Sequence, residues 1–581
     1  MTVDTRVAPA PTPNRAARRS RAGWWGTVAV VVALAAAFVL PAPYLLRALA
    51  PRMEEGFMLV FPDQVLHGAV PHKDFLHLYG PGSLWVLAAF YKVFGTRIEV
   101  ERVVALAQLL GMAAGVALIL RLWGRWVALA GGLLVALFAL PSFGFTAWPW
   151  VGAVALGLGA VAALLQARGD DTRDRPRAAA RWAVIGGVLA GVALLYRIDL
   201  GPALVLSGIA VVWGLRAPLV RRAVVGAAVG ASPYIVHLVV AGPDNVWNGM
   251  IVDPLLRLRP TRGLPLPPDP TSLKGTAVTA ELSERGWPLP RLPLAGQVFA
   301  WFMALLVVTV FLLAVAVWRT RRDPGALRTR ALLASALFAV GVLPQALQRA
   351  DATHLGWVSA VGVALLPAAI AEVVFVLRPR WNAARVGLVA GVGVLAATSL
   401  LIPSYTARRY AAFVQDSFTN STGSFTIRHA GRTYYVGNET EAANFRKLLQ
   451  AADRAGRPGD RLVVGTGDLR YTPYVDSFVY YLLPDYEPGT YFIEMEPGIT
   501  NRNGTRLTDE LRRADVVVLD DDWLNWNEPN DSMKPGDPRP NKVLSEQFCE
   551  KDTFGSFHLL VRCNGADASS QRHWAPPPNT K

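Results

Sequence analysis

Residues Trp24–Ala42 read WWGTVAVVVALAAAFVLPA, a stretch without a single charged side chain and long enough to cross roughly 30 Å of hydrocarbon. Arg15, Arg18, Arg19 and Arg21 precede it, as in the charged region of a secretory signal peptide. The apolar run, however, continues to about Leu40 with no small-residue cleavage site followed by a polar mature start. It therefore reads as a retained first membrane helix with its basic flank, residues 1–23, in the cytoplasm.

The rest of the chain repeats this signal. With 581 residues, 52% hydrophobic content and a positive mean hydropathy, the chain belongs with integral membrane proteins. Further apolar segments follow at 80–95, 99–121, 127–141, 148–166, 181–197, 200–215, 221–241, 297–318, 330–347, 356–377 and 385–403, giving twelve candidates in all. The formal charge of +15 does not point to nucleic acid, because the Lys and Arg residues are spread among apolar segments and not gathered on one polar domain.

Basic clusters at 168–181, 216–222, 319–330 and 378–385 belong inside, which puts 141–148, 196–201, 242–296 and 347–356 outside, together with everything beyond 404. A cytoplasmic N-terminus and an external C-terminus require an odd number of crossings, and twelve is even. The weakest segment is 80–95, which is short and contains Lys92. The expected architecture is a polytopic α-helical membrane protein of about 11–13 transmembrane helices (24–403) in the plasma membrane. It has a first external loop at 43–79 and a large proline-rich external loop at 242–296, which reads equally as a lid or as a spacer.

From 404 to 581 the pattern changes to that of a soluble α/β domain, expected to be extracytoplasmic. RLVVGTGD at 461–468 reads as a buried strand ending in a turn, and LTDELRRADVVVLD at 507–520 as a helix leading into a second buried strand. GTGD lacks the later glycines of a dinucleotide fingerprint, so nucleotide binding is rejected there. Cys549 and Cys563 are expected to form one disulfide if this end is extracytoplasmic.

Charge beside apolar segments marks functional candidates, since a charged side chain at membrane depth is tolerated only when paired or facing a wet cavity. Four clusters qualify. Glu54 and Glu55, followed by Gly56, offer a general base and a group to hold a cation or orient an acceptor hydroxyl, or else are solvated interfacial charges. His67, His72, Lys73, Asp74, His77 and Tyr79 lie before a Gly80-Pro81-Gly82 turn, and a divalent metal held by Glu55, His72 and Asp74 is one reading of that loop. Arg197 and Asp199 form an ion pair or contact a lipid phosphate. In PQALQRADATHLGW at 344–357, Gln345, Arg349 and His354 share a face if helical, with Asp351 between them. A guanidinium with a histidine suits a phosphate head group.

The acidic pair with its glycine, the Leu66–Phe75 element L-x-G-x-x-P-x-x-D-F, Gly80-Pro81, the apolar helix ending in Phe94-Gly95, and Arg102 together resemble the GT-C superfamily of polyprenyl-phosphate-dependent glycosyltransferases. The likeness is greatest to the branch of protein O-mannosyltransferases and aminoarabinose transferases. That branch carries Asp-Glu where this chain has Glu54-Glu55, and an aromatic before the Asp where this chain has His72-Lys73. The resemblance implies catalytic roles for Glu54, Glu55 and Asp74, donor-phosphate binding by Arg349 and His354, and inversion in a single displacement; Arg197 is a further candidate for the donor phosphate on its own position. It also implies a polyprenyl-phosphate sugar donor, mannose or arabinofuranose being reasonable sugars, and a glycan, lipid or protein acceptor. Trp523 and Trp526 are candidate stacking surfaces or core residues. A polytopic transporter or flippase for a lipid-linked saccharide is the competing expectation, although no internal repeat is evident.

Overall fold

A computed structural model describes residues 13–49, 51–268, 292–421, 423–563 and 572–577. Ten helices among them are long and apolar enough to cross a membrane, and every one of the twelve apolar segments is helical. The two that fall short in length are Gly82–Phe94 and Ile198–Val212.

The helices are α1 (Pro13–Val39), α2 (Arg52–Leu66), α3 (Gly82–Phe94), α4 (Ile98–Leu120), α5 (Arg125–Phe143), α6 (Pro149–Asp171), α7 (Pro176–Tyr196), α8 (Gly201–Val212), α9 (Ala217–Ala231) and α10 (Pro233–Ala241), the last two forming one membrane-length span, Ala217–Ala241. After the described part of the large loop come α11 (Leu294–Arg322), α12 (Leu327–Gln348), α13 (Ala352–Leu377) and α14 (Ala383–Leu401). Small residues set the closest packing. A Cβ on Gly187 or Gly191 of α7 would overlap the carbonyl oxygens of Ala223 and Ala227, and one on Gly226 or Gly230 of α9 would meet the backbone of Val184 and Val188. The two backbones thus touch through small residues four apart, the arrangement that lets helices associate where apolar burial gives no drive.

Polar contacts define two faces of the bundle. On one, Arg328 donates to the Leu122 carbonyl at 2.7 Å, Glu372 takes Trp123 Nε1 at 2.7 Å and Arg319 at 2.9 Å, Arg216 pairs with Asp171 at 2.8 Å, and Gly26 lies against the Arg125 side chain. On the other, Gln345 donates to Asp199 at 2.6 Å, Gln297 to Ser404 at 3.2 Å, and Arg349 pairs with Glu528 of the C-terminal domain at 2.6 Å.

Both ends of α3 lie on this second face. Gly80 N–H donates to the Tyr196 carbonyl at 3.0 Å before it, and Thr96 donates to Asp63 at 2.6 Å after it, with Asp63 paired to Arg432 of the C-terminal domain at 3.2 Å. Segment 80–95 therefore returns to the face it left. By contrast, the short α8 does join the faces: Asp199 lies at one end, and the Val211 and Trp213 carbonyls, each taking a hydrogen bond from Arg168 at 2.9 Å, lie at the other. With the ten long helices this makes eleven connections between faces among the described residues, an odd number, and the even count of twelve is corrected.

Within the first loop, 43–79, residues 52–66 form helix α2. It packs on the C-terminal domain: Ser477 donates to the Met53 carbonyl at 2.8 Å and Leu76 N–H to the Tyr491 carbonyl at 2.7 Å. Gly56 is needed there because a Cβ would overlap Ser477 and the Phe478 backbone. In the large loop, Pro243–Trp247, the π-helical Asn248–Leu258 and Arg259–Arg262 are helical, whereas 269–291 lies outside the described residues.

The C-terminal domain carries a hairpin of β1 (Phe425–His429) and β2 (Arg432–Val436), then a five-stranded sheet. Its strands are β3 (Arg461–Thr466), β4 (Glu487–Pro488), β5 (Val516–Asp520), β6 (Phe548–Phe554) and β7 (Phe557–Arg562), in the order β4-β3-β5-β7-β6. β3 and β5 are parallel and buried on both faces, which is why they read as unbroken apolar runs. A helix, Leu507–Leu511, precedes β5. Cys549 and Cys563 form a disulfide across the β6–β7 hairpin.

Candidate functional site at the junction of membrane and soluble parts

Where α2, the π-helical segment, the ends of α7 and α12, and the C-terminal domain meet, they enclose a cavity of about 540 Å³. Its wall includes Glu54, Tyr79, Arg197, Asp199, Gln345, Arg349, Asp351 and His354 from the sequence-derived clusters.

Glu54 and Glu55 lie in the first turn of α2, where the helix dipole favours carboxylates. Consecutive helical residues point about 100° apart, so the pair is split. Glu54 faces the cavity, and burial pushes its carboxyl up to about 7, with Glu496 adding to the rise and Arg262 and Arg349 opposing it. Glu55 turns inward to Arg102, taking Nε at 2.7 Å on one oxygen and a second guanidinium nitrogen at 3.0 Å on the other.

Arg349 and His354 do not share a helical face. The chain leaves α12 at Gln348, Arg349 is extended (φ −139°, ψ 105°), and Asp351 caps α13 by accepting the His354 N–H at 2.9 Å. Asp351 also takes His354 Nδ1 at 2.8 Å and Arg349 Nε at 3.1 Å, so one carboxylate joins the two groups. Burial alone would raise Asp351, but His354 and Arg349 outweigh it and hold it below the usual carboxylate range. Arg197 pairs with Asp199 through Nε at 2.9 Å and lies over the Tyr79 ring, 4.3 Å from its centroid.

His72, Asp74 and Glu55 do not come together as a metal site. Asp74 is exposed and takes the Val70 N–H at 2.7 Å, closing its own turn. His72 is buried between the Tyr79 carbonyl at 3.0 Å and His237 at 2.8 Å; burial, with His77 and His237 nearby, holds it well below its ordinary value. Burial likewise brings His77 down to about 3, so neither histidine supplies positive charge. Among the described residues the only cluster of close metal-type ligands is Cys549, Cys563 and His573, whose sulfurs are spent in the disulfide.

Several wall residues were not singled out from sequence. Arg262 pairs with Glu496 at 2.6 Å and stacks on Tyr474, and Glu494 lies beside Glu496. Arg259, on the same short helix as Arg262, lines the cavity and ion-pairs with no described residue. Trp523 and Trp526 pack on Tyr474 with ring centroids 5.1 and 4.8 Å away, behind the cavity wall. No local pattern announces Glu494 or Glu496, because they reach the cavity only when the C-terminal domain docks on α2.

The fold and cavity define a class: a polytopic helical membrane protein whose C-terminal domain closes a charged cavity at the end of the bundle. No protein-family model matches the chain, and no curated protein does either. Among solved structures it is similar to ArnT from Cupriavidus metallidurans bound to undecaprenyl phosphate, with a TM-score of 0.51 and 16% identity, covering 95% of this chain and 100% of that one. The apo state of the same protein gives a TM-score of 0.48 at 16% identity, covering 96% and 100%. At this identity the likeness is one of fold.

Proposed function

We propose that this protein is a membrane glycosyltransferase of the GT-C type that moves a monosaccharide from a polyprenyl-phosphate donor to an extracytoplasmic glycan, lipid or protein acceptor. One observation carries the reading: the half-buried Glu54 carboxylate and several guanidinium groups share a single cavity where the apolar bundle meets the soluble domain. A lipid-linked substrate needs its chain in the apolar bundle and its charged head at such a junction. The fold likeness to a structure holding undecaprenyl phosphate agrees with it.

In this reading Glu54 takes the proton of the acceptor hydroxyl as that oxygen bonds to the anomeric carbon. The bond from that carbon to the phosphate oxygen breaks with its electron pair on the leaving polyprenyl phosphate, and configuration inverts. Arg349, His354 and Arg197, joined by Arg259, which ion-pairs with no described residue, neutralise the phosphate. Glu55 positions α2 through Arg102, and Asp74 shapes the loop. The arginine clusters at 168–181, 216–222, 319–330 and 378–385 all lie on the face opposite the C-terminal domain, which supports an extracytoplasmic position for that domain in the plasma membrane.

The test is transfer from radiolabelled polyprenyl-phosphate sugars in membranes. Glu54→Gln is expected to reduce transfer by about 100-fold or more at normal expression. Unchanged transfer would overturn the base assignment, and substrate translocation without a glycosidic product would favour a flippase.

A further inference from the structure

Five carboxylates reach the cavity wall, and two of them, Glu494 and Glu496, belong to the C-terminal domain. Glu496 is committed: its carboxylate holds Arg262 at 2.6 Å, and its N–H is taken by Thr500 Oγ1 at 2.9 Å. Glu494 is not. It is 2% exposed, its Oε2 has no hydrogen-bond partner, and its carboxyl meets that of Glu496. Burial, together with Glu496 and Glu54, lifts Glu494 well above the usual carboxylate range, so it is the protonated member and donates to Glu496.

A neutral carboxyl group with one oxygen unused has no attraction for phosphate. It suits a hydroxyl, which can donate to that oxygen. An unpaired buried oxygen is unfavourable, a penalty that a ligand hydroxyl would remove. The phosphate-binding groups of the wall, Arg349 and Arg197, come from the membrane part. The head group of a lipid-linked sugar therefore spans from membrane-derived guanidinium groups to domain-derived acids.

We propose that Glu494, carried to the cavity by the C-terminal domain, is a specificity-determining residue that binds a ring hydroxyl of the sugar on the lipid donor, beside Glu54. This rests on the transferase reading. It makes the soluble domain part of the sugar site, so the membrane helices alone form an incomplete one.

The full chain in nanodiscs is titrated with polyprenyl phosphate, polyprenyl-phosphate mannose and polyprenyl-phosphate arabinofuranose, read by fluorescence of the wall tryptophans Trp148, Trp150 and Trp357. The unaltered protein is expected to bind at least one sugar lipid about tenfold tighter than the bare lipid, as one good hydrogen bond allows. Glu494→Ala should erase that margin while bare-lipid affinity stays within about twofold, which also controls for folding. Glu494→Gln, which keeps a donor and an acceptor, should retain most of it. A margin that survives Glu494→Ala, or an equal loss for all three lipids, overturns the proposal. If the unaltered protein binds none of the lipids, the transferase reading itself fails, whereas binding all three without a sugar margin refutes only the role of Glu494.

Discussion

Glu55 and Arg102 form a two-point ion pair, 2.7 and 3.0 Å, with both side chains 1% exposed, while the neighbouring Glu54 faces the cavity. Two identical side chains one residue apart thus have different expected consequences when altered. Glu54→Gln should abolish most transfer with little change in thermal melting. Glu55→Gln leaves a buried guanidinium uncompensated, a loss of about 3–5 kcal/mol, and should lower the melting temperature of the detergent-solubilised protein. Equal melting of the two variants would contradict the split.

Transfer should depend on pH through Glu54. A general base works only when deprotonated, and burial sets this carboxyl at about 7. The rate is therefore expected to rise as pH increases through about 7 and to fall roughly tenfold per unit below it. A rate profile from pH 5.5 to 8.5 that stays flat would show that another group accepts the proton.

The guanidinium groups should separate by their existing partners. Arg259→Ala removes a group with no described ion-pair partner and is expected to weaken polyprenyl-phosphate binding about tenfold without altering melting. Arg349→Ala strands Asp351 and Glu528, so both affinity and melting temperature should drop. Arg168→Ala, on the opposite face, should leave lipid affinity unchanged, and a loss equal to that of Arg349→Ala would reject the phosphate assignment.

The α7–α9 contact should tolerate no added bulk. Gly187→Leu or Gly230→Leu forces apart backbones that meet directly, and the measured melting temperature should fall, whereas Gly393→Leu, whose Cβ position is open, should be neutral.

Sidedness is open to thiol labelling, because both native cysteines are in the disulfide. Lys551→Cys, exposed on the C-terminal domain, should react with an impermeant maleimide in intact cells. Arg380→Cys, exposed on the opposite face, should react only after permeabilisation. The reverse pattern would invert the orientation.

By itself the sequence determined the helices, because hydrocarbon demands long apolar runs and each of the twelve segments is written locally. It also marked Glu54, Tyr79, Arg197, Gln345, Arg349, Asp351 and His354, since charge and polarity beside apolar segments stand out without any knowledge of their neighbours. Only the tertiary structure decided that 80–95 turns back, that Glu55 leaves the cavity for Arg102, and that His72 and Asp74 serve the loop. The same is true of Glu494 and Glu496, which are more than 400 residues from Glu54 in the chain and share its cavity. Which oxygen faces which guanidinium depends on helix phase and domain docking, and those are set by packing between distant segments that no local pattern encodes.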